Sequence, residues 1–297
     1  MAGFFMLIAF GVGGTILGSM ISLPVLAAMS GKSISFISEN LQSLMGEGSF
    51  LREMQVMQTL SALFGFLVPT LFAASRLSNQ PLRLTGFKGN ITNRQIILTV
   101  LIIGCGLALS SALGYFTYKL PIPVDFRLKF DRMESDYART VAGIVNVGSI
   151  PELLMSLFVL ALIPAVCEEV FFRGGLQNYL YRGTGKFWLS VILVSIIFSA
   201  VHFSVYGFLS RLALGVVLGL LFQYSGRLWL CILAHFINNA AAVMMIYLEL
   251  GKGKPLQEIL NDREGSYLGF LAIPLLVFLF IRYKQNQSFT TTSSNGI

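Results

Sequence analysis

The stretch P-A-V-C-E-E-V-F-F-R, residues 164–173, places two adjacent carboxylates inside a run of apolar side chains that begins near Leu153. These acids are Glu168 and Glu169. An ionised carboxylate in hydrocarbon is costly unless it has a partner, so such residues predict an active site or a transport path rather than packing. Arg173 follows Glu169 by four residues, and this helical spacing lets it pair with one of the two acids.

The composition of the chain indicates that these acids belong to a membrane protein. Of the 297 residues, 55% are hydrophobic and only 12% are charged, whereas a soluble domain carries about 25% charged residues. Apolar runs of about 20 residues recur along the chain, and a helix needs this length to cross a bilayer. The net charge of +7 fits cytoplasmic loops and anionic lipid, and no basic patch interleaved with aromatic residues indicates nucleic-acid binding.

We predict an all-α fold, a polytopic transmembrane helical bundle of about eight spans that forms one integral-membrane domain over residues 1–297. The predicted spans are 4–29, 54–74, 96–116, 153–181, 187–206, 209–224, 228–248 and 267–283, of which the sixth is the weakest. The long polar stretch 117–152 predicts a partly ordered extramembrane loop, and the sequence does not tell its role. The Ser/Thr/Asn-rich tail, 284–297, predicts disorder.

The distribution of charge predicts the orientation of the bundle. An even number of spans puts both termini on one side of the membrane. The basic residues divide almost equally between the two sides, but the short loops on the terminal side contain no acid. Apart from Glu168 and Glu169, every acidic residue lies on the opposite side. We therefore expect both termini in the cytoplasm, and the short loops favour a bacterial inner membrane.

Further polar residues lie within the neighbouring spans. The chain has two histidines, His202 and His235, and both fall inside predicted spans. Asn239 follows His235 by four residues and so lies on the same helical face. Burying any one of these groups unpaired costs several kcal/mol, about the cost of an unmade hydrogen bond in hydrocarbon. The sequence therefore predicts that they share one catalytic polar cluster with Glu168 and Glu169 within the membrane.

Glutamate and histidine together form a set that activates water. A carboxylate can take a proton from water, and an imidazole can hold that water or later donate to a leaving group. His235 and Asn239 could donate hydrogen bonds to a developing oxyanion. This chemistry predicts hydrolysis of a peptide or amide bond.

The same residues could also bind a metal ion. Two histidines and one glutamate match the ligands of a hydrolytic zinc ion, and the set would be Glu168, His202 and His235. The sequence has no H-E-x-x-H motif, however, in which two ligands share one helical turn. Zinc therefore enters as an alternative, and the sequence does not tell whether a metal is required.

Three motifs give a resemblance to a known family. They are E-E-x-x-x-R at residues 168–173, F-x-x-x-H at 198–202 and H-x-x-x-N at 235–239. Each motif is weak alone, but here they follow one another on successive apolar segments within about 70 residues. In this order they resemble the CPBP family, the CAAX proteases and bacteriocin-processing enzymes that are also called Abi proteins. The resemblance covers residues 151–248, which we take as the catalytic core.

The resemblance implies a glutamate-dependent intramembrane endopeptidase in a family classed with the metallopeptidases. It implies that Glu168 is the base that activates water, assisted by His202. It also implies that His235 and Asn239 stabilise the oxyanion. The expected partners are membrane lipid and a membrane-associated protein or peptide substrate, either prenylated or bacteriocin-like.

The resemblance implies supporting roles for the remaining motif residues. Glu169 and Arg173 would orient and tune the first acid, and Phe198 would pack beneath His202. Which glutamate is the base stays open at this point, as do the substrate, the cleavage site and the oligomeric state.

Two other classes of function use the same residue types. A transporter or proton relay also places Glu, His and Arg in the membrane, although such a path needs polar groups through the whole bilayer depth and often in both halves of a repeated fold. In this chain the polar groups cluster in one half, and no repeat is visible. A catalytically silent immunity protein could also retain intact motifs.

Overall fold

The computed structural model of the chain describes residues 1–44 and 48–294, and within these ranges the chain folds into helices and connecting turns without any strand. Seven of the described helices are long and apolar enough to cross a membrane. Helices are the expected solution there, because a helix satisfies its backbone hydrogen bonds internally. This architecture confirms the predicted polytopic all-α bundle.

The helices follow one another along the chain with short connections. They are α1 (Ala2–Ser30), α2 (Ile34–Leu44), α3 (Leu51–Leu77), α4 (Asn93–Lys119), α5 (Val124–Ala142), α6 (Ile150–Thr184), α7 (Phe187–Ala200), α8 (Phe208–Ser225), α9 (Leu228–Gly251), α10 (Leu256–Asn261) and α11 (Ala272–Ser294). Single helical turns at Gly48–Phe50, Pro81–Leu84 and Tyr267–Leu271 precede α3, α4 and α11. The chain begins at one end of the bundle, where Met1 lies against Gly183.

The predicted fifth span, 187–206, is shorter in the structure than in the sequence prediction. Helix α7 ends at Ala200 and has 14 residues, or about 21 Å at 1.5 Å per residue, less than the roughly 30 Å of a bilayer core. Phe203 adopts a left-handed φ of 51°, and the Ser199 hydroxyl donates to the Phe208 carbonyl at 2.6 Å across the turn. The weak sixth span is α8, which does reach 18 residues.

Helix α6 carries the two adjacent acids and is interrupted by two π-helical turns. The first, Leu157–Leu162, precedes Pro164. Proline has no N–H to donate to the carbonyl four residues earlier, so the hydrogen-bond register widens there. The second turn, Val170–Gln177, begins directly after Glu169. Such π-helical turns are frequent at functional sites, because they shift side chains out of the regular helical rows.

The polar stretch predicted as a partly ordered loop contains a complete helix, α5. This helix buries Glu134 and Ala138, whereas Val124, Phe126 and Leu128 are more than half exposed. A helix with basic, acidic and exposed apolar side chains is typical of a membrane interface. Through Glu134, helix α5 contacts the turn that follows α7, whereas Met1 lies against Gly183 just before α7.

Helices α7 and α8 pack closely at glycines. A Cβ atom on Gly215 would lie 2.9 Å from the Ser195 Cβ, and a Cβ on Gly219 would lie 3.1 Å from a methyl of Val191. The G-x-x-x-G spacing thus permits the close approach that it predicts in membrane helices.

The end of the chain lies at the limit of the described residues. Helix α11 is described as far as Ser294, and residues 295–297 lie outside the described ranges. The disorder predicted for 284–297 stays a prediction.

Candidate active site

The two adjacent acids of α6 face different surroundings. The Glu169 side chain is fully buried, whereas 13% of the Glu168 side chain is exposed. Neighbouring residues on a helix project about 100° apart, so one can enter the core while the other lines an open space. The structure thereby separates the two carboxylates, which the sequence alone could not rank.

Two side chains donate hydrogen bonds to the Glu169 carboxylate. Its Oε1 accepts a hydrogen bond from Arg173 Nη1 at 2.8 Å and another from His235 Nδ1 at 2.8 Å. Arg173 is also fully buried, and its Nη2 donates to the Gly215 carbonyl at 3.1 Å. A buried charge is tolerated only when it is paired in this way. Glu169 therefore links α6, α8 and α9.

Glu168 faces both histidines across a narrow gap. Its Oε2 lies 4.0 Å from His202 Nε2 and 4.0 Å from His235 Nε2. This oxygen has no hydrogen-bond partner among the described residues. A spacing of 4.0 Å is too long for a direct hydrogen bond, but a small polar molecule between the three atoms could reach all of them.

Each imidazole is oriented by a partner on its other nitrogen. His202 Nδ1 lies 2.7 Å from the Phe198 carbonyl, and His235 Nδ1 lies 2.8 Å from the Glu169 carboxylate. Both partners can only accept, so the Nδ1 atoms carry the protons and donate. The Nε2 atoms are then left to face Glu168.

The ring of Phe198 lies at the centre of this cluster. Its centroid is 5.0 Å from that of His202 and 5.8 Å from that of His235. The Arg173 guanidinium carbon lies 4.7 Å from the same centroid, which is a cation–π distance. Phe198 thus packs against three of the polar groups and also holds His202 through its carbonyl.

Asn239 lies one turn beyond His235 on α9. Its Oδ1 accepts a hydrogen bond from Asn238 Nδ2 at 3.1 Å. The hydrogen bonds and ion pairs of the described residues join Glu168, Glu169, Arg173 and the two histidines, but they do not join Asn239 to either acid. Its expected role at an oxyanion therefore stays a prediction.

The proposed metal ligands have the right chemistry but a wide spacing. Zinc binds nitrogen and oxygen ligands at about 2.0–2.2 Å, so neighbouring ligand atoms of one tetrahedral ion lie about 3.3 Å apart. Glu168 Oε2 lies 4.0 Å from each Nε2 atom. Among the described residues, no group of three or more His, Cys, Asp or Glu is close enough to hold a metal ion. This arrangement of ligand atoms does not fit zinc.

A second polar side chain of α6, not predicted from the sequence, also contacts α8. Gln177, one turn further along α6, donates from Nε2 to the Gly219 carbonyl at 2.9 Å. Arg173 and Gln177 thus bind the carbonyls of Gly215 and Gly219, two glycines with the same four-residue spacing. A G-x-x-x-G spacing indicates close helix packing, but it carries no signal for these side-chain donors.

Sequence reasoning also missed the residues that hold the loop after His202. Glu134 of α5 is buried, and its Oε1 accepts hydrogen bonds from the Ser204 hydroxyl at 2.8 Å and the Tyr206 backbone N–H at 3.1 Å. The Tyr206 hydroxyl donates to Asp131 at 2.8 Å. We define residues 201–207 as the His202 loop. Acids in a polar stretch usually face solvent, so the sequence offered no signal for this contact.

The family predicted from the motifs is found by comparison over the same region. Residues 150–241 match the model of the family described as "Type II CAAX prenyl endopeptidase Rce1-like". The match contains all three motifs. Its boundaries lie close to those of the predicted core, 151–248.

Two proteins of Bacillus subtilis (strain 168) are similar to the chain. One is named "Uncharacterized protein YpbD" and is 31% identical over 125 residues, which cover 41% of this chain and 59% of that protein. The other is named "Putative membrane peptidase YdiL" and is 26% identical over 112 residues, which cover 38% of this chain and 43% of that protein. The chain thus spans less than two thirds of either relative. No solved structure matches the chain.

The matched region and the helices agree on one assignment. The apolar helices identify an integral membrane protein, and the match falls on α6 to α9, which carry every group of the cluster. Residues 150–241 of this membrane protein are similar to the Rce1-like type II CAAX prenyl endopeptidases, and one relative of the chain is named a putative membrane peptidase.

Proposed function

We propose that this chain is a glutamate-dependent intramembrane endopeptidase that hydrolyses a peptide bond in a membrane-associated substrate. The observation that carries the proposal is the convergence of Glu168 Oε2 with two imidazole Nε2 atoms, each at 4.0 Å. A gap bounded by one carboxylate and two oriented imidazoles is suited to holding the attacking water.

In this mechanism Glu168 is the base. A water molecule in the gap gives a proton to Glu168 while its oxygen bonds to the carbonyl carbon of the scissile peptide. The tetrahedral intermediate then collapses, the C–N bond breaks, and Glu168 returns the proton to the leaving nitrogen. The Nε2 of His202 accepts a hydrogen bond from the water and orients it, because its Nδ1 proton is committed to the Phe198 carbonyl.

We assign the hydrogen-bond donors that stabilise the oxyanion to α9. When the His235 ring is protonated, its Nε2 can donate to the oxyanion and Glu169 balances the ring's charge through Nδ1. The side-chain amide of Asn239 can supply a second donor after rotation away from Asn238. Such donors stabilise the charge that develops only in the transition state.

Glu169 and Arg173 act as positioning residues. Glu169 is fully buried and accepts two hydrogen bonds at 2.8 Å, so it is poorly placed to receive a proton from bulk water. Its contacts instead fix the His235 ring against Glu168. These observations favour Glu168 over Glu169 as the base.

The short helix α7 supports a reaction below the membrane surface. If α7 begins at one surface, its roughly 21 Å length ends inside a hydrocarbon layer of about 30 Å. His202 would then lie within the membrane, while the His202 loop links it to the aqueous side. The substrate suited to this position is a peptide anchored in the membrane, either prenylated or bacteriocin-like.

The charge of the short loops supports a plasma-membrane orientation with both termini in the cytoplasm. In that orientation, Gly89 lies on the cytoplasmic side and Lys252 on the outer side. A membrane-impermeant maleimide should then label a Lys252→Cys variant in intact cells and a Gly89→Cys variant only after permeabilisation. Both positions are exposed, so we expect the protein to tolerate the substitutions. The reverse labelling pattern would invert the orientation.

The proposed reaction is tested with purified protein and a synthetic peptide that ends in C-a-a-X and carries a farnesyl group on the cysteine. We expect mass spectrometry to detect cleavage by the unchanged protein and none by Glu168→Gln or His202→Ala. Glu39→Gln is the matched control, because Glu39 is exposed on α2, away from the cluster. Full activity of Glu168→Gln would overturn the glutamate mechanism.

A further inference from the structure

A polar cavity of about 230 Å³ lies beside the His202 loop, at the end of the bundle covered by α5. We call it the Arg211 pocket and define it by Tyr115, Tyr137, Ser204, Arg211 and Arg263, which line it. Its volume would hold several water molecules, at about 30 Å³ each.

Arg211 brings a cationic side chain with an unpaired donor into this pocket. Its Nη1 atom is buried and has no hydrogen-bond partner among the described residues. The guanidinium carbon lies 4.9 Å from the centroid of the Tyr137 ring, a contact that holds the side chain without using its donors. A buried donor without an acceptor is costly, so its retention points to a group that binds there.

The other basic residue of the pocket is already paired. Arg263 Nη2 lies 3.8 Å from Glu134 Oε2, and its guanidinium carbon lies 5.6 Å from the Tyr206 ring centroid. Asp262 and Glu264 also line the pocket, but both are exposed at its rim, where water screens their charge. Glu134 also lines the pocket, but its two oxygens already face Ser204, Tyr206 and Arg263. The buried Nη1 donor of Arg211 is therefore left for an added anion.

The pocket lies next to the catalytic cluster. A Cβ atom on Gly207 would meet Arg211 Nη1 and also the Ser204 hydroxyl, which shows how closely Arg211 packs on the His202 loop. A peptide with its scissile bond at Glu168 could therefore extend a few residues and reach Arg211.

We propose that the Arg211 pocket binds the C-terminal carboxylate of the substrate, a proposal that rests on the proposed endopeptidase function. An arginine fork binds a carboxylate through two parallel hydrogen bonds. The polarity of the site supports this direction of binding. The charged end of the peptide would lie in the polar pocket on the aqueous side, and the membrane anchor would lie on the N-terminal side of the scissile bond. The enzyme would then select bonds near a free C-terminus.

The binding test uses the tripeptide valyl-isoleucyl-serine with a free carboxylate and the same tripeptide with a C-terminal amide. We expect the acid to raise the unfolding temperature of the unchanged protein and the amide to leave it unchanged. Arg211→Gln should abolish this difference, and Arg211→Lys should retain part of it because the charge remains. Arg132→Gln is the matched control, since Arg132 is exposed on α5. If the acid and the amide changed the unfolding temperature of the unchanged protein equally, the proposal would be wrong, whatever the variants showed.

The kinetic test uses the farnesylated C-a-a-X peptide in its acid and amide forms. We expect amidation to lower kcat/KM roughly tenfold or more for the unchanged protein and to have little effect on Arg211→Gln. An unchanged acid preference in Arg211→Gln would overturn the pocket assignment. Because binding of the tripeptide is measured without turnover, failure of the pocket and failure of the proposed hydrolysis give different results.

Discussion

The Glu169 carboxylate accepts a hydrogen bond from His235 Nδ1 at 2.8 Å, although 66 residues separate the two along the chain. This contact ties α6 to α9 and turns the other imidazole nitrogen towards Glu168. Glu169 also accepts a hydrogen bond from Arg173, so it holds both side chains in fixed positions. The adjacent acids thus differ in their surroundings, because Glu169 is fully buried and paired whereas Glu168 faces the two imidazoles, and in the proposed mechanism only Glu168 acts as the base.

The first prediction concerns the different costs of removing the two acids. Glu169→Ala leaves Arg173 fully buried without its carboxylate, and we expect a loss of about 3–5 kcal/mol in the free energy of unfolding. Glu168→Ala removes a partly exposed carboxylate that has no hydrogen bond on Oε2, so we expect no comparable loss. Unfolding by sodium dodecyl sulfate in mixed micelles measures both variants. Equal destabilisation by the two substitutions would contradict the separation of roles.

The second prediction concerns the contact of α7 with α8. Gly215→Ala places a Cβ atom 2.9 Å from the Ser195 Cβ and 3.1 Å from its Cα, so we expect a loss of about 1–3 kcal/mol from overpacking. Gly104→Ala is the control, because a Cβ there meets no atom within 4 Å; it should be neutral or slightly stabilising. The same unfolding assay checks both, and a neutral Gly215→Ala would rule out the close packing.

The third prediction concerns the anchor of the His202 loop. Glu134→Ala removes the acceptor of two hydrogen bonds from Ser204 and Tyr206. We expect amide hydrogen exchange in residues 201–207 to become roughly tenfold faster, about the effect of one lost hydrogen bond. We also expect a lower kcat, because His202 would lose its fixed position.

Asp136→Asn is the control for this loop. Asp136 is exposed on the same helix and pairs with Arg139 at 3.4 Å. Exchange in residues 201–207 should stay unchanged in this variant. If Glu134→Ala left the exchange unchanged as well, the loop would not depend on α5.

The fourth prediction concerns a metal. The 4.0 Å spacing of Glu168 from the two imidazoles predicts that activity does not need zinc. Elemental analysis after exhaustive dialysis against a strong chelator, followed by the cleavage assay, checks this. The zinc hypothesis, with Glu168, His202 and His235 as ligands, would be supported if activity disappeared on dialysis and returned with one equivalent of zinc.

The sequence predicted the parts of the site that depend on local cost and spacing. Polar groups are so expensive in an apolar span that Glu168, Glu169, His202 and His235 could be grouped from the order of residues alone. Helical spacing likewise allowed an Arg173 pair. The sequence could not choose between the two acids, because their different burial depends on how α6 is rotated against α8 and α9.

The contacts that the sequence did not predict are long-range or depend on helix geometry. Glu134 lies 70 residues before Ser204, and its polar surroundings in the sequence resemble those of a solvent-exposed acid. Gln177 meets a glycine carbonyl only because Gly219 has no side chain to block it. The early end of α7 follows from the turn around Phe203, whose left-handed φ has no residue signature such as glycine or asparagine.

If Glu168 is the base for peptide-bond hydrolysis in the membrane, the active protein should create new peptide termini there. The most direct measurement compares these termini in membranes from four kinds of cells. One lacks the protein, and the others express the unchanged protein, Glu168→Gln or Glu39→Gln. Quantitative mass spectrometry reads these termini. Our account predicts a set of termini that appears with the unchanged protein and with Glu39→Gln and is absent with Glu168→Gln. The same set of termini in the Glu168→Gln membranes, or no difference between cells with and without the protein, would contradict it.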